Sequence, residues 1–411
     1  LSQGFFMKEE SHETREHTEG HAAGGSAASS RVFLDHASAT PLDPRVAEVV
    51  RSFEHAYHAN PSALYREGVA ARAAIDEARG ALAAVLHARP QEIVFTGSGT
   101  ESVNLAIRGV VRASTITRPH CIASAVEHPA VLATMRDMER RGEITLSIAP
   151  VDETGAVLVR ELAELIREDT VLVSVMYAQN EVGTLQDIRG IGKVIRAARE
   201  RFGSPYPYFH TDASQAFATM PVSLREAPDL ITLDAAKIYG PKGIGLLVVR
   251  AGVRIDPVIT GGAHERGMRA GTEDGARIAG FAEAVRIAQA LREEEGERLR
   301  ALTATLAEGM LALAPNATRN GDASRTLPGL VSVCYPGVDA EYLVLKLDAR
   351  GFAVSFASSC RTMGDGGSEA LRALGNHPCD GSSLRVSLGR STGAAEVSAF
   401  LEALADALVN P

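Results

Sequence analysis

Long apolar runs are missing from this chain of 411 residues, so no stretch is suited to crossing a bilayer. Positive charge is also short. Lysine and arginine total 42 against 51 aspartates and glutamates, the net charge is −9, and no basic stripe stands out. That balance argues against nucleic acid as a partner. Cysteine is scarce: the four residues include no C-x-x-C pair and fit neither a disulfide framework nor a zinc site. A reducing, cytoplasmic setting follows from that usage. Internal repeats are absent, and residues 1–30 lack the apolar centre of a secretory leader. That stretch is polar, then rich in Ala, Gly and Ser, and is expected to be a disordered tail whose His12, His17 and His21 are solvated rather than metal-bound.

What is present is a chain too long for one compact core, with 45% hydrophobic residues. Short apolar runs alternate with helical stretches. Arg31 to Pro41 reads as a short strand followed by a turn of small residues, Pro44 to Tyr57 as a helix with Val46, Val49, Val50 and Phe53 on one face, and Gly68 to Leu86 as a second helix. Further strands are expected at Glu92–Thr96, Cys121–Val126, Ile144–Val151, Val171–Tyr177, Tyr208–Asp212, Leu230–Leu233 and Gly245–Val249, with a helix over Ile188–Phe202. This alternation predicts an α/β fold with a mainly parallel sheet covered by helices. A long helix over Phe281–Ala314 leads to a stretch of different rhythm. There, strands at Leu330–Tyr335, Phe352–Phe356 and Leu384–Leu388 and helices at Leu343–Ala349 and Ala394–Leu408 predict a smaller α+β domain. The expected organisation is a tail over 1–30, a segment over 31–44 packing with the small domain, a large domain over 45–290 and the small domain over 291–411.

In sheets of this kind the working residues gather at strand ends. His128, Asn180, Asp212 with Gln215, and Lys237 all have that address. Lys237 lies in the turn Asp234-Ala-Ala-Lys-Ile-Tyr-Gly-Pro-Lys-Gly-Ile-Gly245, where a desolvated amine could form a Schiff base with a carbonyl, although a lysine in a surface hairpin fits the same residues. The strand before Gly97-Ser-Gly-Thr100 runs into a helix, so the turn offers backbone N–H groups and hydroxyls to an anion or serves as a helix cap. Gly261 to Thr272 is a glycine-rich loop with two arginines, either solvated or an anion or subunit contact. Cys360 follows a strand in a glycine-flanked loop, where the neighbouring Arg361 would favour its thiolate. Cys121 and Cys334 lie in apolar runs and read as inert core residues; Cys379 has no assigned role.

Several of these segments together resemble the cysteine desulfurase family, within the class V aminotransferase group of fold-type I pyridoxal-phosphate enzymes. They are Lys237-Ile-Tyr-Gly-Pro-Lys-Gly-Ile-Gly, His210-Thr-Asp-Ala-Ser-Gln, Asn180-Glu-Val-Gly-Thr-Leu-Gln, Glu265-Arg-Gly-Met-Arg-Ala-Gly-Thr and Leu384-Arg-Val-Ser-Leu-Gly-Arg. The resemblance runs from about Val32 to the C-terminus. It implies pyridoxal 5'-phosphate held by Lys237, with Asp212 on the ring nitrogen, His128 stacked on the ring, and Asn180 and Gln215 near the ring oxygen and substrate amine. Thr100 and the backbone at Gly99 would hold the phosphate, and Thr272 would reach the phosphate of a partner subunit in a homodimer. Arg385 would bind the substrate carboxylate and Cys360 would accept sulfur from L-cysteine as a persulfide. No metal is implied. The Cys360 loop resembles that of the branch serving iron–sulfur scaffold proteins and tRNA thiolation enzymes. Selenocysteine lyase shares the same residues, and a non-catalytic binding platform is the competing reading.

Two positions depart from the family pattern Ser-x-His-Lys: Asp234 and Ala236 stand where a serine and a histidine help hold the phosphate. A carboxylate ~4 Å from a phosphate costs on the order of 4 kcal/mol per charge pair at an effective dielectric of ~20. His264 and Asp274 are smaller departures, standing where Gln and Asn are usual. Weak cofactor retention is the expectation.

Overall fold

The computed structural model describes residues 31–356, 367–375 and 379–409. Cys360 and Arg361, like the 1–30 tail, lie outside the described residues. The first strand is β1 (Val32–Phe33), followed by helices α1 (Pro44–Ala56) and α2 (Arg66–Val85). Asp43 starts α1 by accepting the Arg45 N–H, and Pro44 at the first helical position gives up no hydrogen bond. Then come β2 (Ile93–Thr96), α3 (Gly99–Ala113), β3 (His120–Ser124), α4 (Pro129–Arg140), β4 (Thr145–Ala149), α5 (Val159–Leu165) and β5 (Thr170–Ser174). α6 (Ile188–Phe202), β6 (Tyr208–Asp212), β7 (Leu230–Asp234) and β8 (Gly245–Val249) complete a seven-stranded sheet.

The strand order is β2-β8-β7-β6-β5-β3-β4. The run from β7 to β4 is parallel, and β8 is antiparallel to both its neighbours. Side chains alternate across the pleat and both faces are covered, so the strands read as unbroken apolar runs. Ile93, Phe95, Phe209, Ile231, Leu233, Leu246 and Val248 face a core shared with Phe53, Ile75, Ile195 and Phe281. Val94, Tyr208, Leu230, Leu247 and Val249 face the other side, against Val103 and Ile107 of α3 and Val131 and Met135 of α4.

Helix α7 (Gly275–Ala312) is 38 residues long and spans two cores. It begins six residues before the sequence suggested, because Asp274 caps it by accepting the Arg277 N–H. Its first half, with Ile278 and Phe281, packs under the large sheet; its second half, with Leu299, Leu306 and Met310, enters a separate apolar cluster. After α7 come β9 (Thr318–Arg319), β10 (Leu330–Cys334), α8 (Ala340–Ala349), β11 (Phe352–Ala353), α9 (Glu369–Ala373), β12 (Ser383–Ser387) and α10 (Ala394–Val409). Val331, Leu343, Phe352, Leu384 and Phe400 meet in that second cluster with Leu34, whereas Ala370 and Leu371 of α9 pack with Val126 and Val182. The strands form an antiparallel set β12-β10-β9 and a parallel pair β1-β11. The strand expected over Phe352–Phe356 is reduced to two residues, since beyond Ala353 only a bridge from Ser355 to Arg385 remains.

The cysteine reading needs correction. Cys334 and Cys379 are paired as a disulfide, with Cα atoms 5.3 Å apart. Cys334 ends β10 opposite Ser383 of β12, and Cys379 lies just before β12, so sheet register brings together two residues 45 apart in sequence. Cys121 is buried and free, as expected.

Candidate active site

The C-terminal ends of the parallel strands surround a cavity of about 110 Å³. β3 delivers His128, β5 delivers Met176, Ala178 and Asn180, β6 delivers Asp212 with Gln215, and β7 delivers Asp234 and Lys237. Gly99 and Thr100 enter from the start of α3, Arg385 from β12, and Ala37 and Ser38 from the segment after β1. Nine of the ten residues that the sequence singled out for the site were thus either brought here or can be located. His128, Gly99, Thr100, Asn180, Asp212, Gln215, Lys237 and Arg385 meet at this cavity. Thr272 does not; it is exposed and lines a different cleft with Phe53, Tyr57 and Ile75. Cys360 lies outside the described residues.

The Lys237 ammonium donates to the carbonyls of Ala37 at 3.0 Å and Ser38 at 2.5 Å. Gln215 Nε2 donates to the same Ala37 carbonyl at 2.7 Å. Lys237 sits in a short 3-10 turn between the antiparallel strands β7 and β8, so the hairpin reading was correct as geometry, while the amine turns into the protein. Asp212 Oδ1 accepts the Ser214 N–H at 3.0 Å. His128 caps α4, its Nδ1 accepting the Ala130 N–H at 3.1 Å, which places the proton of the neutral ring on Nε2. Burial lowers its pKa and the Lys237 charge adds to that, against the opposing pull of Asp212 and Asp234.

Arg385 is 3% exposed. Its Nη1 donates to the Asn180 carbonyl at 3.0 Å, and its Nη2 to Asp35 Oδ1 at 2.8 Å and Ser38 Oγ at 2.7 Å. One end of the cavity is the turn before α3. There Ser98 Oγ caps the helix by accepting the Glu101 N–H. Asp234 Oδ2 accepts the Gly99 N–H at 3.0 Å and Asp234 Oδ1 the Ala236 N–H at 2.9 Å. Gly245 has to be glycine: a Cβ there would come within 2.5 Å of the Ser98 backbone and push this turn away.

Sequence reasoning passed over three groups around the site. Asp35 fixes Arg385. His36 is buried beside the Tyr239 hydroxyl, with its pKa lowered to about 4 by burial. Glu127, next to His128, is fully enclosed. Burial pushes its pKa up to about 8, although the Ser124 hydroxyl and the Met176 N–H both donate to its Oε1 at 2.6 Å. A carboxyl at the end of an apolar strand, followed by a histidine, was the available signal for Glu127. Among the described residues no cluster of His, Cys, Asp and Glu could hold a metal ion, and no helix is long and apolar enough to cross a membrane.

An amine, a carboxylate, an imidazole and a guanidinium thus converge on one cavity. The family model described as "Aminotransferase class-V" matches residues 32–400. A similar curated protein is the "Putative cysteine desulfurase IscS 1" of Bacillus subtilis (strain 168), 36% identical over 379 residues, covering 92% of this chain and 98% of that protein. Among solved structures, one titled "NIFS-LIKE PROTEIN" superposes with a TM-score of 0.85 at 32% identity, covering 92% of this chain and 99% of that one. Another, titled "SspA in complex with cysteine", has a TM-score of 0.75 at 30% identity, covering 87% of this chain and 98% of that one.

Proposed function

This chain belongs to the aminotransferase class-V family, and from that membership we propose that it is a pyridoxal-phosphate-dependent cysteine desulfurase. In this reading L-cysteine becomes L-alanine and Cys360 takes the sulfur as a persulfide. The observation that carries it is the convergence of Lys237, Asp212, His128 and Arg385 on one cavity. The relatives named cysteine desulfurase, and the similar structure with cysteine, support the choice of substrate.

The residues fit the ring end of the cofactor. Lys237 supplies the amine for its aldehyde, Asp212 the carboxylate for its ring nitrogen, His128 a flat neutral group for its face and Gln215 an amide for its ring oxygen, all on one cavity. Gly99 and Thr100 stand at the phosphate end. When bound, pyridoxal phosphate supplies an electron sink for charge developing at the substrate α-carbon.

The other duties fall to the chain. Asp212 holds a proton on the ring nitrogen. Lys237, tethered to two backbone carbonyls, removes the α-proton of the substrate and later returns a proton. Arg385 takes the substrate carboxylate, its guanidinium oriented beforehand by Asp35 and the Asn180 carbonyl. Asn180 stands beside it near the substrate amine. The Cys360 thiolate attacks the substrate sulfur: a sulfur–sulfur bond forms, the carbon–sulfur bond breaks, and the carbon takes up a proton and leaves as alanine. Thr272, exposed and away from its own cavity, is assigned to the phosphate of a second copy, so the working unit is a homodimer. The large unit, 45–290, carries the cofactor residues; the small unit, 291–411 with 31–44, carries Arg385 and the Cys360 loop. The persulfide sulfur passes to an acceptor protein, an iron–sulfur scaffold or a tRNA thiolation enzyme, in the cytoplasm.

The test is spectroscopic and chemical. Pyridoxal phosphate added to the protein gives a visible absorbance that Lys237→Ala lacks. Cys360→Ser keeps that absorbance and releases no sulfide from cysteine. Undiminished sulfide release by Cys360→Ser would remove the sulfur-acceptor assignment, and unchanged absorbance in Lys237→Ala would remove the cofactor reading.

A further inference from the structure

The turn that opens α3 is the place for an anion, and the chain has put its own there. Gly99 donates its N–H to Asp234, whose second oxygen takes the Ala236 N–H. The other glycine amide of the turn, Gly97 N–H, donates to Glu101 Oε2 at 2.8 Å. Both glycine amides are thus committed to carboxylates. Glu101 is balanced by Arg269, whose Nε donates to its Oε1 at 2.8 Å. Ala236 offers only a methyl group. Asp234 is also seated closely: a Cβ on Gly99 would lie 3.1 Å from both its Cβ and its Oδ2. A phosphate dianion entering this end meets a negative oxygen on the amide it needs. An alcohol does not, because its O–H can donate to the Asp234 carboxylate. The groups assigned to the ring and aldehyde are Asp212, His128, Gln215 and Lys237; of these, His128 feels the Asp234 charge, which opposes the effect of burial on its pKa.

Resting on the cofactor reading above, we propose that Asp234 makes this chain select its cofactor by ring and aldehyde rather than by phosphate, so that unphosphorylated pyridoxal, with its hydroxymethyl tail, is held about as well as pyridoxal phosphate. Asp234 acts here as a specificity residue for the cofactor tail. Exchanging it for a neutral donor restores discrimination in favour of phosphate.

The experiment is equilibrium dialysis of the full-length protein, freed of cofactor, against pyridoxal phosphate and against pyridoxal, for the parent chain, Asp234→Ser and Asp234→Asn. The asparagine variant keeps the side-chain volume in case the serine variant folds poorly. Comparing the ratio of the two affinities between variants cancels the tendency of free pyridoxal to cyclise. The expected result is a ratio within about tenfold in the parent, and pyridoxal phosphate bound about 30- to 100-fold more tightly in the variants with pyridoxal unchanged or weaker, the size expected when a charged hydrogen-bond clash is replaced by a compatible group. A ratio equal in parent and variants would overturn the proposal. Failure of the underlying reading looks different: neither compound would bind any of the three proteins, or binding would be unaffected by Lys237→Ala.

Discussion

Relative to Glu127→Gln, the parent protein should lose stability as pH rises, so the difference between the two profiles isolates this one group. The carboxyl is fully buried next to the candidate site, and its pKa is raised from 4.5 to about 8, first by burial and also by the Asp212 charge, against the hydrogen bonds from Ser124 and Met176. A folded pKa above the unfolded one means that the native state keeps a proton the unfolded chain releases. Stability is therefore full below about 4.5, falls as pH rises, and levels off above about 8. Each pKa unit is worth about 1.4 kcal/mol, so roughly 2–3 kcal/mol is lost between about pH 5 and about pH 7 through this one group. Glutamine has the same shape, its carbonyl can accept from Ser124 and Met176, and it does not titrate. The assay is the urea midpoint of parent and variant across that range. It is paired with infrared difference spectra, in which the band of a protonated buried carboxyl should be present in the parent and absent from Glu127→Gln. Parallel stability profiles with no such band would show that Glu127 is ionised and that the reasoning is wrong.

The remaining predictions concern other buried polar groups. Arg79 forks onto Glu265 with two contacts of 2.7 Å, and neither side chain is more than 8% exposed, so Arg79→Met should cost about 3–5 kcal/mol; pairing it with Glu265→Leu should recover only part of that, because the Phe95 N–H then loses its Glu265 acceptor; urea midpoints of the single and double variants decide. The Cys334–Cys379 disulfide closes a loop with a separation of 45, worth about 4 kcal/mol on the chain-entropy estimate. Thiol titration of the unfolded, unreduced protein should find Cys121 and Cys360 only, and Cys379→Ser should lower the thermal midpoint. Burial holds His36, His120 and His210 at a pKa of about 4, below the ordinary 6.5. The unfolded chain therefore takes up protons that the native one refuses, and stability falls as pH drops from about 6.5 to about 4, a slope that His36→Gln should reduce by up to one proton.

How much of this could be read beforehand depended on whether the cause was local. A strand end followed by a polar residue is a local signal, and it located His128, Asn180, Asp212 and Lys237 on a common rim before any contact was known. The parallel sheet was legible for the same reason, since strands buried on both faces advertise themselves as apolar runs. Contacts that cross the chain left no such mark. Arg385 and Asp35 are 350 residues apart, and neither spacing nor composition announces their pairing. Cys334 looked like a core residue because it sits in an apolar strand, and only the register of β10 with β12 reveals its partner. Asp234 was recognised as out of place, but the amides it would occupy became visible only when β7 and the start of α3, 135 residues away, were brought together.

The segment after β1 ties these separate elements into one device. Ala37 and Ser38 present their carbonyls to Lys237, Ser38 presents its hydroxyl to Arg385, and Ala37 also receives Gln215. A few residues on, Thr40 is fastened to the turn that carries Lys237, through its N–H to the Ala236 carbonyl at 2.9 Å and its hydroxyl, which accepts the Tyr239 N–H at 2.6 Å. On the other side Leu34 lies in the core that contains β10 and β12, and the Ser387 N–H donates to its carbonyl. Arg385 and Lys237 are thereby positioned by the same short stretch, although one belongs to the antiparallel sheet and the other to the parallel one. A shift of one core relative to the other would strain backbone hydrogen bonds on both sides of residues 34–40. The distance between the group assigned to the substrate carboxylate and the group assigned to the α-proton is therefore set by this strut rather than by either core alone.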